Sequence, residues 1–499
     1  MRLRFLPADG WPPLAWLALC VPGNEEVVVR HGHRVERHDD WFCEAVWDGA
    51  FEAGGFHRTD VVFGSGGRRD GGAIAFVSAG TTVDRLHTLE APEGVLVSNS
   101  LACLLAAADA TVDPTYDAYF QDFMTIRRGL RRYKRTLATS AGSVQLTYYD
   151  NLRWNGTRLA PEPKVWPRRD FTSFGAYRGF LESSLRALAA NATSTERRVP
   201  YPLLGTMSSG HDSSTVAALA ARAGLLREVI AFDRARTGEP DSGRNVAALL
   251  GLDVLEVSSD AWRDTEFPEV PFVAADAKGE DVYFRGAEAR LAGRLVLTGF
   301  GGDRIWDRDA RQTGDDLPRR DQSGLSLSEY RLRVGFIHCP VPYLGARQLA
   351  EIRALGRSAE LAAWTVRAES RRPICRRILE EAGVPRQAIG LHKRAASVLF
   401  FRRDSFLVGA SLADYTRWLD TVLPARRQTT GSGPLRAVAR TGARLLQGLV
   451  ARLPWRSRLL RPLAHRLATF GYHEPRFRHL FPWALARAKD AYVNHQTPD

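Results

Sequence analysis

The stretch LLGTMSSGHDSSTVAALAARAG, residues 203 to 224, passes from an apolar run through a loop of small polar residues into an alanine-rich segment. That order predicts a β-strand up to Met207, a tight turn, and a helix over 214–223. A turn of small residues lets backbone N–H groups face inward, and the first helical turn adds N–H donors at the positive end of its dipole. The result is a socket for phosphate. The Walker pattern GxxxxGK[ST] is absent, so the socket is of another kind. Gly210 permits close backbone approach, Ser208 and Ser213 offer hydroxyls, and Asp212 puts a carboxylate where bound phosphates would lie, which only a metal ion would favour. The plainer reading is a βα turn capped by Ser213 or Ser214.

Working outward, REVIAFD (227–233) and GRLVLTG (293–299) are short segments whose apolar centres are unbroken by charge, like the strand at 201–207. Phe174, Tyr177, Leu181, Leu185 and Leu188 recur at helical spacing just before them. Strands alternating with helices predict a parallel sheet covered on both faces. From about residue 330 the chain reads as mostly helical. Upstream of 165 the texture differs: GAIAFVSAG (72–80), GVLVSNS (94–100) with the helical LACLLAAAD behind it, and SVQLTYYD (143–150) predict an antiparallel sheet with few helices. Between the regions, APEPKVWPRRD (160–170) is rich in proline and charge and reads as a linker.

At 499 residues the chain exceeds one ordinary core, so two domains are expected, with three admissible. No apolar run approaches the roughly 18 to 20 residues of a membrane-spanning helix, and the N-terminus has prolines and an aspartate where a signal peptide is apolar. The expectation is a soluble cytoplasmic protein. The five scattered cysteines include no CxxC pair and suggest neither a disulfide framework nor a zinc site. Net charge is +13. Within 425–468, Arg436, Arg440 and Arg444 share one helical face. That stretch is either a solvated helix packed on the domain or a contact for an anionic membrane or a partner.

Three segments together resemble one superfamily. SSGHDSS resembles the SGGxDSS pyrophosphate-binding loop of the ATP pyrophosphatases, with Ser208, Gly210, Asp212 and Ser213 matching and Ser209 in place of the first glycine. LVLTGFGGDRIWD (295–307) resembles the SGEGSDE or TGxGGDE segment of asparagine synthetases, β-lactam synthetases and lasso-peptide cyclases, matching at Thr298, Gly299, Gly301, Gly302 and Asp303. GVPRQAIGLHKRAAS (383–397) resembles the loop that delivers a lysine in that group, with Lys393 matching. The resemblance spans about 170 to 400. HTLEAPEGVLVSNSLACLLA (87–106) is similar to part of the glutamine amidotransferase domain that precedes such synthetases.

This resemblance implies an α/β protein in three parts. Residues 1–165 would form an α+β amidotransferase-like sandwich, and 166–425 a doubly wound parallel-sheet ATP-pyrophosphatase domain, adenine nucleotide α-hydrolase-like, with a helical C-terminal part. Residues 426–499 would be a basic helical extension. It implies ATP and Mg²⁺, with Asp212 and Asp303 as metal ligands. Ser208, Ser209, Gly210 and Ser213 would hold pyrophosphate, and Phe232, Thr298, Gly299, Gly301 and Gly302 would line the nucleotide. Lys393 would neutralise charge on the α-phosphate and the carbonyl oxygen. The implied reaction is adenylation of a carboxylate and its transfer to an amine.

Departures narrow that expectation. The amidotransferase nucleophile is a cysteine exposed once Met1 is removed, whereas residue 2 is Arg2 and the first cysteine is Cys20. A substrate amine or free ammonia is therefore the expected acceptor. Phe300 stands where relatives have a glutamate or a tyrosine, leaving Glu280, His392 or a neutral amine to solve deprotonation, and Arg304 replaces an acid after Asp303. The alternatives are an asparagine synthetase using ammonia and an inactive protein binding through 425–468. The partners expected are a small-molecule or peptide carboxylate and an amine donor, with a homodimer admissible and no specific nucleic acid, since no RNA-binding motif accompanies the charge. The cluster His31, His33, His38, Asp39 and Asp40 fits no zinc spacing and reads as a polar loop. The elbow GxSxG of serine hydrolases is absent.

Overall fold

A computed structural model describes residues 1–235, 238–310, 314–365, 372–389, 407–423 and 478–493, with scattered positions between 398 and 467. Its first 162 residues build two sheets from β1 (Arg2–Pro7), β2 (Trp16–Cys20), β3 (Glu26–His31), β4 (Glu36–Arg37), β5 (Trp41–Trp47), β6 (Val62–Asp70), β7 (Ala73–Val77), β8 (Arg85–Ala91), β9 (Gly94–Ser98), β10 (Thr136–Thr139), β11 (Gly142–Tyr148), β12 (Asn151–Trp154) and β13 (Leu159–Glu162). One sheet runs β1-β3-β2-β9-β8-β11-β10 and the other β13-β12-β7-β6-β5-β4. Every pairing is antiparallel except β1 with β3. The period of two decides what each face buries. Trp16 and Ala18 of β2 meet Phe42, Ile74, Phe76, Val97 and Trp154 between the sheets, whereas Leu17 joins the core that holds the helix Leu101–Ala107. Trp16 stacks on Phe76 at 6.1 Å and meets Phe42 edge-on at 5.1 Å.

The second region holds β14 (Leu203–Met207), β15 (Glu228–Phe232), β16 (Asp253–Val257), β17 (Leu295–Thr298) and β18 (Ile337–Pro340), all parallel in the order β16-β15-β14-β17-β18. The chain is thus mixed α/β, with an antiparallel sheet pair followed by a parallel sheet. Strand order reverses between β14 and β17, and such a reversal opens a crevice at the carboxyl ends of the two strands. The apolar runs at 201–207, 227–233 and 293–299 mark β14, β15 and β17, while β16 and β18 are additions to the expected pattern. The helix Phe174–Ala192 buries all five of its periodic residues and starts at Ser173, whose hydroxyl accepts from Ala176 N at 3.1 Å. The helix after β14 begins at His211, three residues earlier than expected, because extended Gly210 is its N-cap and the serines fall inside the first turn. After 330 the described residues are mostly helical apart from β18. Most of 425–468, including Arg436, Arg440 and Arg444, lies outside the described residues. Among those described, no helix is long and apolar enough to cross a membrane.

The expected linker needs correction. Leu159–Glu162 pairs with β12, buried Lys164 donates to Asn151 Oδ1 at 2.7 Å, and Arg169 clasps Asp60 through bonds of 2.6 and 3.1 Å. Lys164 and Arg169 are thus tied to the sandwich, while Arg168 reaches Glu351 in the second region at 3.1 Å. Farther along, the helix Leu327–Val334 connects the two regions through Arg331, whose guanidinium reaches Glu44 at 2.5 Å and Asp84 at 3.1 Å with all three side chains buried. Burial opposes the charge, but Asp84 and Glu44 outweigh it and hold the guanidinium above its ordinary value. Ser100 Oγ donates to Glu329 of the same helix at 2.6 Å.

Two outcomes are expected. Arg331→Ala strands two buried carboxylates and should lower unfolding free energy by roughly 3–5 kcal/mol in urea titration. Lys164, pushed down to about 7 mainly by burial, is charged in both states below that pH. Between pH 7 and its usual 10.5 only the unfolded chain keeps the proton, so its contribution to stability rises with pH, by at most about 1.4 kcal/mol per unit. The stability of Lys164→Met relative to wild type should therefore be greatest near pH 6–7 and fall toward pH 10.

Candidate functional site

The loop after β14 is held by its own hydroxyls. Ser208 Oγ lies 2.7 Å from Ser213 Oγ and accepts from Gly210 N at 3.2 Å, while Ser214 Oγ donates to Ser208 O at 2.9 Å. The helix His211–Arg222 has no side-chain cap at Gly210, so its first turn faces the crevice without a capping side chain. Ser209 is fastened from outside: its N–H bonds to Asp241 Oδ1 at 3.1 Å and its hydroxyl bonds to the same oxygen. Gly243, at φ +62°, presses on this loop so closely that an added Cβ would lie 2.5 Å from Ser208 O. The residue that departs from the glycine pattern is thus an anchor to the segment after β15.

The loop after β17 meets it backbone to backbone. A Cβ on Gly299 would lie 2.5 Å from Ser213 N, and one on Gly302 would lie 2.7 Å from Asp212 Cγ. Gly301 adopts φ +85°, a left-handed conformation that favours glycine. These glycines bring Asp212 beside the turn that carries Asp303, which is 5% exposed. Two carboxylates from neighbouring strand ends fit Mg²⁺, whose shell is usually one or two protein carboxylates completed by phosphate oxygens and water. Among the described residues no group of three or more His, Cys, Asp or Glu forms a protein-only metal cage.

Each carboxylate also has a cation. Arg372 Nη1 bonds to Asp212 Oδ1 at 2.6 Å, and Arg320 Nε lies 3.7 Å from Asp303 Oδ2. Burial is the largest influence on Arg372 and disfavours its charge, but Asp212, with Cys375, Asp303 and Asp307 behind it, together outweigh burial and raise it above its ordinary value. His211 is pushed down to about 4 by burial and then by Arg372 and Arg376, so it is neutral at pH 7. Neither Arg372 nor Asp241 was visible as a site residue in the sequence, since their partners lie 160 and 32 positions away.

No protein-family model and no curated protein matches the chain.

The remaining expected residues divide. Thr298 Oγ1 lies 2.8 Å from His338 Nε2, which commits the hydroxyl to β18. His338 is fully buried and pushed down to about 3, by burial first and then by Arg331 and Arg319. The Phe232 ring packs against Tyr283 at 4.6 Å and Phe284 at 5.4 Å, so its side chain serves the core and only its strand end faces the crevice. Phe300 packs edge-on against His338 at 5.6 Å. Glu280, a suggested base, is buried and paired with Lys278, and its Oε1 has no hydrogen-bond partner among the described residues. Lys393 and His392 lie outside the described residues. The histidine cluster near the N-terminus is structural where it is bonded: His31 Nδ1 meets Gly32 O at 2.9 Å, His38 stacks on Trp41 at 3.8 Å, and Asp40 pairs with Arg69 at 2.5 Å.

Gly302→Ala should force Asp212 aside and cost about 1–3 kcal/mol of stability. Gly314→Ala, whose Cβ meets nothing within 4 Å, is the control and should leave the denaturation midpoint unmoved.

Proposed function

We propose that the chain is an ATP-dependent carbon–nitrogen ligase of the asparagine synthetase, β-lactam synthetase and lasso-peptide cyclase type, adenylating a carboxylate and transferring it to an amine. The observation that carries this reading is the meeting of SSGHDSS and TGFGGD at the β14/β17 reversal, with Asp212 packed against Gly302, the residue before Asp303. In this reading the antiparallel sandwich is an amidotransferase-like domain and the parallel sheet an ATP-pyrophosphatase domain. Asp212 and Asp303 would hold Mg²⁺, which neutralises phosphate charge when bound. Ser208, Ser213 and the uncapped helix start would meet phosphate oxygens, and Arg372 and Arg320, drawn from their carboxylates, are further cations for them. Lys393 would stand near the transferring group by resemblance.

The acceptor is an amine delivered as such. Cys20 is wholly buried in β2 and burial pushes its thiol up, and the other four cysteines are buried too, so none of the five offers an accessible thiolate for glutamine hydrolysis. A second reading, nucleotide binding without turnover, is favoured by one observation: both carboxylates already have guanidinium partners.

Pyrophosphate exchange tests the proposal. A panel of carboxylates with ATP and Mg²⁺ should include at least one that drives label from pyrophosphate into ATP, and Asp303→Asn should slow that exchange at least 100-fold with unchanged circular dichroism. ATP binding without exchange across the panel would favour the second reading, and full activity in Asp303→Asn would remove the metal assignment.

A further inference from the structure

Arg320, which lies 3.7 Å from Asp303, also lines a cavity of about 750 Å³ shared with the antiparallel sandwich. Its charged lining is wholly basic: Arg127 and Arg128 from the first region, and Arg304, Arg319 and Arg320 from the segment after β17. Small-molecule sites commonly enclose about 300–1,000 Å³. Like charges gathered at one cavity repel one another, and an anion relieves that repulsion.

The cavity is built. Arg319 N donates to Arg127 O at 3.1 Å, Leu130 N to Asp316 O at 2.8 Å, and Arg131 N to Asp316 Oδ1 at 2.7 Å, so the two walls are sewn together along the backbone. Arg319 is 7% exposed and spends its donors on carbonyls, Nε on Asp321 O and Nη1 on Thr82 O at 3.1 Å each. Among the described residues no acidic side chain forms an ion pair with Arg127, Arg128 or Arg319, while Arg320 lies 3.7 Å from Asp303. Phe120 and Met124 supply an apolar stretch of wall for a carbon skeleton.

We infer that this cavity binds a small carboxylate carrying at least one further anionic group, held by Arg127 and Arg128, with the fixed charge of Arg319 in the wall between them and the segment after β17. The inference rests on the ligase reading for its claim that the occupant is the molecule to be activated. It narrows the substrate class to polyanionic acids, polycarboxylates or phosphorylated carboxylates. Neutral amino acids and apolar acids lack the charge to engage both Arg127 and Arg128. Arg127 and Arg128, exposed and without side-chain hydrogen bonds among the described residues, are free to close on such a ligand.

Calorimetric titration of the full chain without ATP tests it. The probes are tricarballylate and 3-phosphoglycerate, which separate the polycarboxylate from the phosphorylated source, with alanine as the neutral control. At least one polyanion should bind and alanine should not. The double variant Arg127→Gln/Arg128→Gln should weaken that binding at least tenfold, whereas Arg127→Lys/Arg128→Lys should stay within about threefold of wild type. Binding should persist with saturating ATP. Absence of binding by both polyanions, unchanged affinity in the glutamine variant, or displacement by ATP would overturn the assignment. Failure of the ligase reading would look different: polyanion binding intact, with no pyrophosphate exchange for any carboxylate.

Discussion

A guanidinium buried between two carboxylates joins the halves of this protein. Arg331 sits on the helix that leads into β18, while Glu44 and Asp84 belong to the sandwich. Glu44 also accepts from Ser65 and Asn99, and Asn99 takes the Trp16 N–H and gives to Leu14 O. A charge so enclosed tolerates little displacement, because any opening leaves ions without water and without partners. The parallel sheet is thereby registered against the sandwich. The wall contributed by 127–131 then meets 315–320 in a fixed relation.

A second constraint is steric. Gly299 and Gly302 allow the loop after β17 to touch the one after β14, and a single methyl group at either place would intrude on Asp212 or Ser213. Close approach of two strand ends is what turns a sheet reversal into a chemical site. Asp241 adds a third loop by fastening Ser209, so the segments after β14, β15 and β17 converge on one place.

Much of this was legible in the sequence because the central strands are apolar and unbroken. β14, β15 and β17 are flanked on both sides and buried, and such strands announce themselves. The edge strands do not: β16 carries Asp253 and Glu256 on a half-exposed surface, and β18 is four residues containing His338, in a region otherwise helical. The supposed linker misled because Lys164, Arg169 and Arg168 find partners, Asn151, Asp60 and Glu351, that only the folded chain brings near. The small-residue loops were readable as a tight strand-to-helix turn since glycine and serine are the residues that such turns and helix starts favour. Arg372 and the arginine cavity were not, because nothing in local spacing foretells which of many arginines a fold will gather.

The ion pair between Arg372 and Asp212 means that the site carries its own counter-ion. On the proposed ligase reading, a metal arriving at Asp212 would not enter an empty anionic hole; it would compete with a tethered guanidinium whose local concentration the fold sets. Loading would then be an exchange of cations that leaves the arginine close by with its charge uncommitted. A bare metal ion would gain little from the swap. A metal arriving with a polyphosphate would satisfy both groups together, and the resting pair would discriminate between bare ions and ion–nucleotide complexes.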